Sequence, residues 1–229
     1  MHKSHLREER ALASGGASNS SVLYERVVSL IDARHSEGGT VIDAGCGKGT
    51  LASHIANRFD RYLGLDIVDH LTPAKRISNV EFVKVDFDSQ TFALPDGLAD
   101  FTCSLETIEH LENPRAFLRE LVRLTKQGGY VIVTTPNQLS FQSKACLIIR
   151  NEFVHFQERP GLYPAHLSPL LEIDLIRMAR ENDLKQVEIV YTGDGRIPGM
   201  TKHWPQWLCS VRNWRGRAFS DNVVMIGKK

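Results

Sequence analysis

At 229 residues, with 42% hydrophobic and 24% charged side chains, the chain has globular composition and enough length for one substantial core. Its 28 Lys and Arg against 27 Asp and Glu leave a formal net charge of +1, so nothing global argues for a polyanion-binding surface. Cys46, Cys103, Cys146 and Cys209 stand singly with no CxxC pair, as in a reduced intracellular protein rather than a disulfide scaffold or structural zinc site. No apolar run reaches membrane-spanning length, and residues 1–21 lack the apolar core of a signal peptide. The expectation is a cytoplasmic protein without a transmembrane segment.

In chain order, residues 1–20 are small and polar and read as a mobile arm, followed by a single domain over 21–229. Val22, Leu23, Val27, Leu30 and Ile31 make one apolar helical face. Thr40 to Ala44 reads as a buried strand, a Gly-rich turn follows, and Leu51, Ala52, Ile55 and Ala56 mark the next helix. Strands are predicted at Tyr62 to Ile67, Val80 to Asp86 and Phe101 to Leu105. Asn113-Pro114 starts a helix by a side-chain cap and an N1 proline, and Gly128-Gly129 is expected to end it. Tyr130 to Thr135 is the fifth strand; Ser168-Pro169 opens a helix to about Asn182; Val187 to Tyr191 and Asn222 to Ile226 are the last strands. This alternation predicts an α/β fold, a mostly parallel sheet with helices on both faces. Two stretches break the rhythm. Residues 137–165 form a lid-like insertion that includes His155 and Tyr163, and 193–220 is an irregular segment holding Trp204, Trp207 and Trp214 among Arg212, Arg215 and Arg217.

The chemistry begins at Val41-Ile42-Asp43-Ala44-Gly45-Cys46-Gly47-Lys48-Gly49-Thr50. Glycines let backbone turn sharply and approach a bulky ligand, and the helix behind them offers free N–H groups. Asp66, 21 residues after Gly45 at the end of the second strand, is placed to accept bonds from a ribose diol. Three details move the reading away from a dinucleotide. The sixth place of the fingerprint is Thr50 rather than glycine; Asp43 precedes the first glycine by two; and Asp86 ends the third strand, where an acceptor can meet an adenine amino group. A carboxylate beside the loop suits the cationic ammonium and sulfonium of S-adenosylmethionine.

Asp43 to Gly49, Gly64-Leu65-Asp66, Val85-Asp86-Phe87 and Leu105 to Leu111 resemble the ordered motifs of class I S-adenosylmethionine-dependent methyltransferases, closest to the small bacterial type-11 and ubiquinone-pathway-like enzymes. The match runs from about Val41 to Pro136 and weakens thereafter. The resemblance implies a Rossmann-like sheet of seven strands with the last antiparallel. It also implies a cofactor site at Asp43, Gly45, Cys46, Gly47, Gly49, Asp66, Ile67, Asp86, Phe87 and Leu105.

Methyl transfer asks the protein to position a nucleophile and take its proton. Glu106, Glu109 and His110 follow the fourth strand and, if helical, share one face at i, i+3 and i+4; His166 precedes a later helix and can approach the same mouth. Two readings stand side by side. His110 or His166, with Glu106, acts as the catalytic acid–base set, or Glu106, Glu109, His110 and His166 hold a divalent ion such as Mg or Mn. The Glu-x-x-Glu-His pattern with a later His resembles metal-dependent RNA ribose O-methyltransferases and ubiquinone-pathway O-methyltransferases alike.

The leading expectation is methylation of a small or lipid-like acceptor at oxygen, with nitrogen the less favoured acceptor atom. The alternatives are a metal-dependent RNA ribose O-methyltransferase, a nicotinamide-dependent oxidoreductase, which Thr50 disfavours, and a non-catalytic cofactor-binding module. Nucleic acid is disfavoured as a partner by the balanced charge.

Overall fold

The computed structural model describes residues 8–9, 21–35, 37–71, 78–88, 91–157, 166–193, 195–205, 207 and 217–229. The greater part of the expected N-terminal arm, and Tyr163, Cys209, Arg212, Trp214 and Arg215, lie outside them. In chain order the elements are α1 (Ser21–Asp32), β1 (Thr40–Ala44), α2 (Thr50–Ile55), β2 (Arg61–Asp66), β3 (Val80–Lys84), β4 (Ala99–Leu105), α3 (Pro114–Leu124), β5 (Thr125–Pro136), α4 (Phe141–Arg150), α5 (Glu172–Glu181), β6 (Lys185–Tyr191) and β7 (Asn222–Lys228).

All seven strands form one sheet in the order β3-β2-β1-β4-β5-β7-β6. The pairs from β3 to β5 are parallel; β7 runs antiparallel to both β5 and β6. Period-two alternation along the strands divides the core into two. Val41, Tyr62, Phe101 and Ile132 pack with Leu23, Val27, Leu51 and Ile55 from α1 and α2. Their chain neighbours Ile42, Leu63, Val131 and Val133 pack on the opposite side with Phe117, Leu118 and Leu121 of α3 and Leu175 and Met178 of α5. Helices therefore cover both faces, and the polar turns are left at the strand ends.

Strand ends move by a few residues from the sequence expectation, and two helix boundaries differ for a physical reason. The helix after Asn113 ends at Leu124, and Gly128-Gly129 falls inside β5. Thr125 already pairs with Ala99 of β4, and a Cβ on Gly129 would stand 2.7 Å from the Asp100 carbonyl oxygen, so glycine here serves strand approach and not helix termination. The helix expected from Ser168-Pro169 begins at Glu172 instead. Asp174 accepts the Leu171 N–H at 3.0 Å as the N-terminal cap, while Ser168 is engaged elsewhere: its hydroxyl donates to the Leu111 carbonyl at 3.2 Å.

Candidate active site

The parallel strands β1 and β4 are neighbours although α2, β2 and β3 separate them in sequence order, and the chain leaves β1 toward one face and β4 toward the other. In open α/β sheets this reversal of strand order opens a crevice at the carboxyl ends of the strands. The Gly-rich turn leaves β1 at that point. Gly45, Gly47 and Gly49 adopt φ of 88°, 47° and 71°, in the left-handed region that glycine enters freely. At Gly45 the restriction is also spatial, since a Cβ would lie 2.0 Å from Thr107 Oγ1.

Carboxylates hold the turn from below. Asp66 accepts the Gly47 N–H at 3.0 Å and its neighbour Ile67 N–H at 2.7 Å, so it anchors the loop from the end of β2. Burial raises its pKa and these backbone donors oppose the rise. Asp43 is buried and accepts a hydrogen bond from Tyr62 on β2. Burial lifts its carboxyl to about 7; Tyr62 opposes that and Asp66 adds to it. Cys46 is packed beneath the loop against Gly64, and burial pushes its thiol far up, which makes it a packing residue in this setting.

Asp86 follows β3 next to the end of β2, to which the Val85 N–H is tied through the Asp66 carbonyl at 2.9 Å; its side chain accepts the Asp88 N–H at 3.2 Å. Ile67 is buried in a small cluster with Val68. Phe87 and Leu105 belong to the core, Phe87 packing on Phe92 and Phe117.

The second turn leaves β4. Glu106 has φ of 52°, a left-handed conformation that costs a non-glycine residue roughly 1–3 kcal/mol. Only Ile108–His110 is helical, a 3-10 turn. Glu106 therefore lies outside the helix and does not share the i, i+3, i+4 face expected from the sequence. Its N–H donates to Thr134 Oγ1 at 3.0 Å and its carboxyl accepts from the same hydroxyl at 3.3 Å. Burial raises the Glu106 pKa to about 8, against the pull of Thr134 and Asn222.

Glu109 is fully buried, and neither carboxylate oxygen has a hydrogen-bond partner among the described residues. Burial, with Glu106 adding to it, raises its pKa strongly; Thr135 is near enough to offset part of the rise but outside hydrogen-bond geometry. The Glu109 carbonyl accepts the N–H groups of Leu167 at 2.7 Å and Ser168 at 3.0 Å, and this brings His166 over the carboxylate. His166 Nε2 stands 4.0 Å from Glu109 Oε1, and the His110 and His166 rings meet edge to face at 4.6 Å. Ligand atoms of Glu109, His110 and His166 all lie within 4.8 Å of one another; Glu106, listed with them from sequence, is not in that group. Burial holds the His166 imidazole below its usual range, and its Nδ1 is buried with the His155 backbone near but outside hydrogen-bond geometry. His155 and Phe156 form the next layer, their rings 6.3 and 5.1 Å from His166. Burial depresses His155 to about 4, with Asp221 opposing.

The two turns touch. Thr107 reaches from the β4 turn onto Gly45, and its carbonyl receives the His110 N–H at 3.0 Å. Sequence reading missed Thr107, Tyr62, Thr134 and Asn222. The one available signal was polar side chains at the ends of apolar strands, as in Val131-Ile132-Val133-Thr134-Thr135.

Sheet order, Gly-rich turn and strand-end acids define a Rossmann-like methyltransferase fold. A family described as a methyltransferase domain matches residues 17–189, and the chain belongs to that family, whose cofactor is S-adenosylmethionine. It is similar to a Mycolicibacterium smegmatis protein named "Probable S-adenosylmethionine-dependent methyltransferase", 34% identical over 123 residues, which are 52% of this chain and 45% of that protein. A ubiquinone biosynthesis O-methyltransferase of Xanthomonas oryzae is 31% identical over 106 residues, 44% of each chain. The chain thus spans less than half the length of these relatives. Among solved structures, a SAM-dependent methyltransferase from Archaeoglobus fulgidus superposes with a TM-score of 0.61 at 19% identity, over 90% of this chain and 94% of that one.

The residues present fit the cofactor. Its methionine end is cationic and the loop is backed by the buried acids Asp43 and Asp66; at Gly45 there is no room for a side chain between the loop and Thr107.

Proposed function

We propose that this domain transfers the methyl group of S-adenosylmethionine to an oxygen of a small or lipid-like acceptor, at a divalent-cation site made by Glu109, His110 and His166. The observation that carries the cation site is the buried Glu109 carboxylate, with neither oxygen hydrogen-bonded among the described residues and two imidazoles alongside. An unpaired buried carboxylate costs several kcal/mol, roughly, unless it is protonated or faces a cation. Mixed carboxylate and imidazole donors suit Mn more than Mg.

In the reaction the acceptor oxygen attacks the methyl carbon, the carbon–sulfur bond breaks, and the acceptor gives up its proton. Gly45 to Gly49 and Asp66 fix the cofactor's end of that line from β1 and β2, and the β4 turn fixes the acceptor's end one side chain away, through Thr107. A bound divalent ion would supply Lewis acidity that lowers the pKa of the acceptor hydroxyl. With the ion bound, the imidazole of His166 is taken up as a ligand and the acceptor's proton leaves to water; without it, His166, held neutral by burial, is the group able to receive that proton. The family supports methyl transfer over the nicotinamide reading. The name of the Xanthomonas relative supports oxygen as the acceptor atom. The near-zero net charge favours a small or lipid-like acceptor over RNA.

The test is calorimetric and thermal titration with MnCl2. The ion is expected to bind the wild type and raise its melting temperature, Glu109→Gln is expected to lose at least about tenfold in affinity, and a chelator is expected to stop turnover. Full turnover in chelator would discard the cation and leave His110 and His166 as an acid–base pair.

A further inference from the structure

Large exposed apolar side chains gather on segments that touch one another around the acceptor side. In α4 only Ser143 is buried, and the last turn stands clear of the body, with Ile148 82% and Ile149 78% exposed beside Leu147. Phe141 in the first turn of α4 packs against Trp204 with ring centroids 5.7 Å apart. The segment carrying Trp204 also carries Met200 and Trp207, the latter 71% exposed. From the other end of α4 the chain turns back to the active site: Gln157 donates to Cys146 Sγ at 3.0 Å and Phe156 meets His166. There Leu167, 51% exposed, borders the mouth.

The charges on these segments have one sign. Within α4 they are Lys144 and Arg150, and among described residues 195–207 they are Arg196 and Lys202, with no Asp or Glu in either; Glu152 follows two residues beyond the helix. Arg196 is paired with Asp221, whereas Lys144, Arg150 and Lys202 are exposed. In a chain with 28 basic and 27 acidic residues this is a local bias toward an anionic partner.

We propose that the tip of α4 and the Met200–Trp207 segment dock the domain on an anionic lipid bilayer. Isoleucines enter the acyl region, Trp207 lies at headgroup depth, and Lys144, Arg150 and Lys202 meet lipid phosphates. Adjacent aliphatic residues this exposed suit fluid acyl chains, whereas single-stranded nucleic acid is gripped by aromatic faces. No helix among the described residues is long and apolar enough to cross a membrane, so the attachment is peripheral. The inference concerns this surface and stands apart from the cation site.

The test is co-sedimentation of the full chain with vesicles of phosphatidylcholine alone or mixed with phosphatidylglycerol. The wild type is expected to sediment with the mixed vesicles and release as salt rises. Ile148→Asp/Ile149→Asp and Lys144→Glu/Arg150→Glu are each expected to lose at least about tenfold in partitioning while S-adenosylhomocysteine binding is unchanged. If the isoleucine variant loses S-adenosylhomocysteine binding through misfolding, the charge variant decides. No sedimentation of the wild type, variants that sediment as wild type, a dimer in vesicle-free solution that the isoleucine variant dissolves, or RNA competing the protein off vesicles would each overturn the proposal.

Discussion

The two turns that meet at Thr107 are built on opposite plans. On the cofactor side polar groups are mutually satisfied: Asp66 on two backbone donors, Asp43 on Tyr62, and glycines where the backbone needs left-handed φ. Around the β4 turn, both Glu109 oxygens, His166 Nδ1 and, further out, Trp204 Nε1 have no hydrogen-bond partner among the described residues. The cofactor half is preorganised by the chain itself. On the proposed function, the acceptor half is completed by what it binds, which is how a fold can share one cofactor among many substrates.

Breaking the cofactor half is expected to give the largest effect. Asp66→Ala removes the acceptor of two loop N–H groups, each charge-assisted bond being worth about 1.5–3 kcal/mol, and S-adenosylhomocysteine affinity should fall at least about 200-fold by calorimetry. Gly45→Ala comes next: the new Cβ meets Thr107 in a left-handed backbone, and a loss of about 1–3 kcal/mol in denaturant unfolding is expected. On the acceptor side His110→Ala should leave S-adenosylhomocysteine affinity within about twofold while turnover falls about 100-fold, because the His110 ring meets His166 and it is Thr107 that meets Gly45. An affinity loss as large as that of Asp66→Ala would show the two halves to be one unit.

The smallest effect tests Asp43. Its folded pKa of about 7 exceeds the ordinary 3.8 of an exposed aspartate, so the folded state binds the extra proton between these values and stability falls as pH rises through that window. The melting temperature should drop by a few degrees, roughly, from pH 5 to pH 7.5, and Asp43→Asn should flatten that slope. A cationic ligand beside the loop favours the ionised acid, so stabilisation by S-adenosylmethionine should grow over the same range.

The sheet and the cofactor loop were legible in sequence because their signals are local: short apolar runs, glycines, and acids at strand ends. Placing Asp66 beside Gly47 needed only the habit of parallel strands. Glu106 was misread because its left-handed backbone takes it off the face that ideal helical spacing assigns, and its pairing with Thr134 and Asn222 depends on β5 and β7 arriving beside β4. The approach of His166 was legible as a suggestion, but the hydrogen bonds that make it concern backbone groups, which carry no residue code. Ser168-Pro169 carried a helix-start pattern, yet tertiary bonds to Leu111 and Glu109 claimed Ser168 first. The lid-like reading of 137–165 becomes α4 and the turn after it, with 158–165 outside the described residues.

His166 is suspended from Glu109 by main-chain N–H groups of the next two residues, so the side chain at 167 plays no part in the suspension. Position 167 is thereby uncoupled from the chemistry: it can be rewritten from Leu to polar or aromatic without shifting the imidazole. If Glu109, His110 and His166 act as proposed, the rim of the mouth is an adjustable dial beside a fixed donor set, and selection for a new acceptor has a place to act that leaves that set unmoved.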